Sequence, residues 1–388
     1  MTLTCEYNPS SALGERAKAI APEADKWAEY GDEVGQLAPE LVDRLHADGL
    51  FGMWVPEELG GSELGPVESL EVIEQISYGD ASAGWVVMAA NLSIGTAGAY
   101  LSDDAAKSLF SGDRFPVIAG QGTRPGSAVT EGDGYRLTGS WSFGSGLKHS
   151  THVHSLGIIQ ETGEPRIFVT PIADVHLIDN WDVLGLRGTG SIDYTMDSVF
   201  VHDDFSHFAI TEQPRRGGNL YHVGIIGFAE MCHQGWALGL GRRMLDELAS
   251  AAREKAGRAG SSATSDSFVE HFANAEGVFR AARALVYEVW SDAARTLDAG
   301  EHLSTQQHTL IRLALTHVTH ALHEVGNHVY LAAGTASLRR GRLQQMMRDV
   351  HAGTQHITSA PTTVQNVGRM LSGVTPGKRW QFLDLVDG

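Results

Sequence analysis

WSFGSGLKHSTHVHSLG, residues 141–157, alternates two aromatic residues, makes a Gly-Ser-Gly turn, and then places three histidines within six positions. Two chemistries compete for it. Read as a strand, it puts His152 and His154 on one face and gives His149 the opposite parity. A metal site needs a third or fourth ligand, and no carboxylate or cysteine cluster nearby in the sequence supplies one. The histidines therefore read as strand and turn residues, with no metal, and the aromatic and small residues read as the wall of a pocket.

Outward from this stretch the sequence is β-like. PVIAGQGTRPGSAVTEGDGYRLTGS has few helix formers, and GDG at 132–134 separates two alternating runs as a hairpin turn does. HVHSLGII, RIFVTPI, VHLIDNWDVLG and IDYTMDSVFV continue the pattern. Short strands with frequent turns predict a barrel or sandwich at 116–213.

On either side the period is helical. ALGERAKAIAPEADKWAEYGDEV opens the region 1–115, VPEELGG interrupts it, and Pro66 stands near a helix start. In the region 214–388, Ile311, Leu315, Val318, Leu322, Val325 and Val329 recur at steps of four and three, one apolar stripe on a long helix. Helices over 219–255, 267–298, 304–333 and 360–372 predict a bundle. GRAGSSATSD, 257–266, is the most linker-like interval. His317, His320 and His323 fall off the apolar stripe and predict a solvated or interface face. The predicted architecture is α+β: helical domain, β domain, helical bundle.

Composition narrows the function. The chain has 388 residues, 42% hydrophobic and 20% charged, enough for a large core and a cofactor. Its net charge of −18 repels phosphate backbones and anionic lipid, so neither nucleic acid nor membrane is an expected partner. ASAGWVVMAANLSIGTAGAYL, 81–101, is uncharged, but its Asn, Ser and Thr and its flanking Asp80, Asp103 and Asp104 point to a buried helix. Cys5 and Cys232 are not expected to pair, and the N-terminus lacks a signal-peptide pattern, which suits the cytoplasm. AGQGTRPG is followed by strand-like rather than helical sequence, so it is not a dinucleotide-phosphate loop. No G-x-S-x-G is present.

VPEELGG (55–61), GYRLTGSWSFGSG (134–146), WDVLGLRGTGSIDYTMDSVFV (181–201) and RDVHAGTQHIT (348–358) occur in the order found in the acyl-CoA dehydrogenase superfamily, which the chain resembles along nearly its whole length. The resemblance implies an N-terminal α-helical domain, a middle β-barrel domain and a C-terminal four-helix bundle, assembled as a homotetramer, with flavin between barrel and bundle.

A dehydrogenase must remove the proton α to a thioester carbonyl with a carboxylate. In the main branch that glutamate lies eight residues after the Arg-Asp pair, here Arg348–Asp349, and the position holds Ile357 behind His356. From 350 to 386 the one acid is Asp384. The chain is more similar to the two-component flavin monooxygenases, with W-x-F-x-S-G at Trp141, Phe143, Ser145 and Gly146 and a histidine at His356.

That branch implies reduced FAD or FMN supplied by a separate NAD(P)H:flavin reductase, O2, and a C4a-hydroperoxyflavin that hydroxylates an aromatic ring. Ser145 would hold the N5 proton, and Trp141 and Phe143 would cover the ring. Gly146, Gly188, Thr189, Gly190 and Gln121 would complete the flavin site. His356 would take a substrate proton or donate to a flavin carbonyl. The phenol-binding histidine of related hydroxylases would fall at Ser93, so Trp85, Asn91 and Ser93 would line a pocket for another aromatic such as an indole or polycyclic, or else be helix core. Rival readings are a desaturase with a relocated base, an N-oxygenase of an amine or amino sugar, and a flavin binder without catalysis.

Overall fold

The computed structural model describes residues 8–256 and 263–388. Cys5 and most of the linker-like interval lie outside them.

Five helices come first: α1 (Ala12–Val34), α2 (Pro39–Ala47), α3 (Pro66–Gly79), α4 (Ala81–Tyr100) and α5 (Asp103–Phe110). Pro66 is the first residue of α3, where a missing N–H costs nothing. The uncharged stretch is α4. Asp80 caps it by accepting from the Ala83 N–H, and nearly all of its length is buried among the other helices. No helix of the described residues is long and apolar enough to cross a membrane.

The chain then forms β1 (Ile118–Glu131), β2 (Gly134–Gly144), β3 (His152–Ile159), β4 (Pro165–Pro171), β5 (His176–Ile178), β6 (Ile192–His202) and β7 (Ser206–Phe208). The hairpin turns at Gly132-Asp133, with Gly132 at φ +60° and Glu131 paired to Gly134. The seven strands run β5-β6-β2-β1-β3-β4-β7. The edges of this sheet are the three-residue strands β5 and β7.

The remainder is α6 (Gly224–Lys255), α7 (Asp266–Asp298), α8 (Thr305–Ala333), α9 (Arg342–Gly353), α10 (Pro361–Leu371) and a terminal hairpin of β8 (Lys378–Gln381) and β9 (Asp384–Asp387). The stripe from Ile311 to Val329 is buried, and Ser304 with Gln307 forms a capping box at the start of α8.

The three parts meet at α9. Asp349 accepts from the Leu186 N–H at 2.6 Å, and Arg348 grips Asp32 of α1 with two nitrogens and donates to Leu184 O. A Cβ on Gly185 would lie 2.1 Å from Arg348 O, so only glycine lets the β domain come this close. Burial raises the Asp349 carboxyl to about 7.

Candidate active site

The site begins with the backbone of the opening stretch. Phe143 is in the left-handed region at φ +67°, where the pairing of β2 with β6 shifts register. This bend swings Ser145 off the strand and under α4. Gly146, at φ +84°, lets the turn approach Val86, and its N–H donates to Thr189 O. The motifs WSFGSG and GLRGTGS are thereby joined.

Four oxygens form a chain with a determined direction. Thr189 Oγ1 donates its single proton to Leu186 O at 2.7 Å. Ser191 Oγ, 2.6 Å away, must then donate to Thr189, and Ser145 Oγ, 2.7 Å from Ser191, must donate to Ser191. The Ser145 proton is committed, so toward every other group this oxygen only accepts. One lone pair takes the Trp85 Nε1–H at 3.0 Å.

Trp85 is the hub of an aromatic cluster. Its ring meets those of His233, Trp236 and His356 edge to face at 5.1, 5.1 and 5.8 Å. Trp236 donates to Ala81 O, and Gly353 leaves room for its ring. His233 and His356 stack at 3.9 Å. His233 Nδ1–H donates to Ala229 O at 2.6 Å, which leaves Nε2 as an unpartnered acceptor. His356 Nδ1 receives the Thr358 N–H at 3.4 Å and lies 2.9 Å from Thr358 Oγ1. Its proton therefore resides on Nε2. Burial, and secondarily His233, pushes His356 well below the ordinary imidazole value; burial pulls His233 down to about 4. Both rings are neutral at neutral pH, so His356 is an N–H donor.

A strip of incompletely buried side chains, here called the trough, leads away from this cluster. On α4 only Ala89 and Leu92 escape full burial, and Trp85 is 9% exposed. In the first half of α6 the corresponding residues are Ile226, Ala229 and His233. The helices are antiparallel, as the bonds from Trp236 to Ala81 O and from Cys232 to Met88 O establish. Trp85 thus faces His233, Ala89 faces Ala229, and Leu92 and Ile226 both pack on the cluster Leu156, Ile167, Ala209 and Ile225. Seven residues of helix make the trough about 10 Å long, and at its middle both helices carry the small side chain of alanine.

Of the predicted site residues, Trp85, Ser145 and His356 come together here. Others do not. Trp141 is completely buried, stacked on Tyr194 and donating to Leu156 O, so it builds the β-domain core and offers no ring face to a ligand. Asn91 is also fully buried: it accepts from Met53 N and donates to Leu50 O and Val87 O, clamping a loop behind α4. Ser93 is buried on α4, its hydroxyl turned to Ala89 O. Gly188 and Gly190 admit Ser82, Gly31 and Gly35, which is domain packing rather than approach to a cofactor. Thr189 is buried and acts through Ser191. Gln121 accepts from Thr123 N and Arg124 N and so shapes the bulge after β1 begins. Phe143 is 67% exposed and free to meet a ligand. Sequence reasoning missed Ser191, inside GLRGTGS, and His233, inside an apolar helical run that gave no motif.

Among the described residues no group of three histidines, cysteines or acids could hold a metal ion. His317 and His320 are exposed, and His323 Nε2 pairs with Thr354.

Residues 15–108 match the model of the acyl-CoA dehydrogenase N-terminal domain, and residues 231–361 match that of its C-terminal domain. The chain belongs to the acyl-CoA dehydrogenase family. Within the family, it is 29% identical to an indole-3-acetate monooxygenase from Pseudomonas putida over 95% of this chain and 96% of that one. The crystal structure of a 3-HSA hydroxylase from Rhodococcus sp. RHA1 superposes with a TM-score of 0.86 at 22% identity, covering 94% and 97% of the two chains. XiaF from Streptomyces sp., in complex with FADH2 and glycerol, superposes with a TM-score of 0.84 at 21% identity, covering 94% and 96%. These likenesses establish the acyl-CoA dehydrogenase fold for the chain.

Proposed function

We propose that the chain is the oxygenase component of a two-component flavin-dependent monooxygenase. It takes reduced FAD or FMN from a separate NAD(P)H:flavin reductase, uses O2, and hydroxylates a small aromatic substrate of indole type. The named relatives with monooxygenase and hydroxylase activity support this reading. The observation that carries it is the committed proton of Ser145. An oxygen that can only accept suits a site that must hold an N–H in place, as the protonated ring nitrogen of a reduced flavin requires.

Reduced flavin, when bound, supplies the activation of O2. The chain's own residues would do the rest. Ser145 holds the N5 proton. Gly146, Gln121 and the exposed Phe143 border the ring. His356 donates Nε2–H to an oxygen atom, the second of its two expected roles, since its neutral tautomer offers no lone pair there. The Ala89–Ala229 trough seats the aromatic substrate against Trp85 and excludes water.

The desaturase reading needs a carboxylate beside the substrate. Glu230, one helical turn before His233, is buried and bound at 3.0 Å by Arg312 of α8, so its charge is already matched by a guanidinium. The proposal includes a cytoplasmic homotetramer. Leu331 in the last turn of α8 and Leu338 just beyond it, with Leu371 and Val374 at the end of α10, are exposed apolar side chains that such an assembly would cover.

The test combines purified protein, a generic flavin reductase and a panel of indoles, phenols and amines under isotopically labelled O2. A hydroxylated aromatic carrying one labelled oxygen is expected. Anaerobic bleaching of bound flavin by an acyl-CoA thioester, with no oxygenated product, would replace the proposal with the desaturase.

A further inference from the structure

The far end of the trough holds a polar group that nothing above employs. His154, on β3, is 2% exposed and lies on the same strand face as Leu156. Its Nδ1 is buried with no hydrogen-bond partner. Its Nε2 points toward Gly122, where a Cβ would lie 3.3 Å from Nε2 and 3.8 Å from the Cδ1 of Ile225. Ile225 belongs to the cluster on which Leu92 and Ile226 close the trough.

A buried imidazole without partners costs free energy that an apolar residue would not. An unpaired lone pair is tolerated more readily than an unpaired N–H, so the proton belongs on Nε2, facing the gap that Gly122 keeps open. Burial, and secondarily His207, brings the imidazole down to about 3, so it stays neutral at every working pH.

Resting on the oxygenase reading, we infer that His154 is a specificity-determining residue that donates Nε2–H to an oxygen substituent of the aromatic substrate. Its ring sits at the end of the trough opposite Ser145 and His356. The preferred substrate class is thus a bicyclic aromatic bearing a hydroxyl, carbonyl or carboxylate oxygen on the side away from the oxidised position. The role is distinct from that of the missing phenol-binding histidine, since His154 stands on the sheet and not on α4.

The test uses three ligands that differ in the handle alone: 3-methylindole, indole-3-methanol and indole-3-acetate. Turnover is measured with reductase and flavin, and equilibrium binding by quenching of tryptophan fluorescence in flavin-free protein. Wild type should favour an oxygen-bearing ligand by about tenfold in both measurements, the worth of one net hydrogen bond. His154→Phe should abolish the preference through KM and leave 3-methylindole turnover and reduced-flavin affinity within about twofold. Gly122→Ala, which leaves the imidazole in place but fills the gap, should reproduce that loss. A preference that survives both substitutions overturns the inference while the oxygenase reading stands. So does a His154→Phe variant that loses all three ligands, or reduced flavin, in parallel. If wild type oxygenates none of the three, the oxygenase reading fails and this inference with it.

Discussion

His233 and His356 stack with centroids 3.9 Å apart and planes 25° apart, each protonated on a different nitrogen. His233 is turned to its own helix, and His356 presents Nε2–H. Two adjacent imidazoles resist a shared positive charge, so each helps keep the other neutral. Replacing His233 by Phe keeps the stack but removes that resistance. The His356 ring should then titrate at higher pH, and oxygenation should fail earlier on acidification. The ring proton shifts of His356, followed by NMR between pH 4 and 8, check this. A wild-type His356 that titrates at its ordinary value would sink it.

Ser191→Ala breaks the oxygen chain in its middle. The Ser145 proton is released, and Ser145 can donate where it formerly only accepted. Peroxide release without product should rise by about tenfold, the scale of one hydrogen bond. Thr189→Val should show the same trend more weakly. Both are read from the ratio of product formed to NADH consumed. Unchanged coupling in Ser191→Ala would remove the proton chain from the mechanism.

Ala89 and Ala229 set the width of the trough. Ala89→Leu should raise KM for two-ring aromatics by about tenfold or more, as overfilling costs about 1–3 kcal/mol. Single-ring phenols should be less affected. The flavin-free melting temperature should not change, since Ala89 is incompletely buried and the new side chain need not enter the core. An equal effect on both ligand sizes would show that substrates bind elsewhere.

The buried pair of Glu230 and Arg312 ties the C-terminal hairpin to the bundle. Arg312 lies 4.3 Å from the Trp380 ring centroid and donates to Phe382 O, and Trp380 donates to Thr309. Glu230→Gln should cost about 3–5 kcal/mol, because an uncompensated buried guanidinium remains. Glu230→Gln with Arg312→Met should recover much of the loss. Chemical denaturation measures both.

Acid stability follows from buried histidines. His154 stands at about 3, and His207, His233 and His308 at about 4, each lowered first by burial. Their folded values lie below the unfolded value of about 6.5. The unfolded chain therefore binds more protons on the acid side. Their stabilisation is complete above about pH 6.5 and is lost as pH falls toward 4, by about 1.4 kcal/mol per unit for each proton taken up. Glu230 and Asp349, raised by burial to about 7, act in the opposite sense, losing stability as pH rises through that range. The histidines are more numerous, so unfolding free energy should fall from pH 6.5 to 4.5. A flat profile there would contradict their burial.

Much of this was legible in the sequence. The stripe on α8 declared itself because one face of a long helix packs on its neighbours. The turn at Gly132-Asp133 declared itself because few residues adopt that backbone. Helix α9 was not foreseen: its polar residues serve Asp32, Leu186 and Ala28 far away in the chain, and no local period records that. In the candidate site, the motifs singled out Ser145 and His356, and the fold brings both against Trp85. Trp141 was misjudged because aromatic content does not tell which face of a strand meets the core. His233 and the alanine pair were invisible because they acquire meaning only from the opposing helix.

The walls around Trp85 come from four separate stretches of chain: α4, the turn after β2, α6, and the segment after α9. None is adjacent to another until the whole polypeptide has compacted. A half-made or partly unravelled molecule therefore has no place to detain an oxidising cofactor, and damage to any one lobe should silence the others instead of leaving a leaky source of peroxide in the cell.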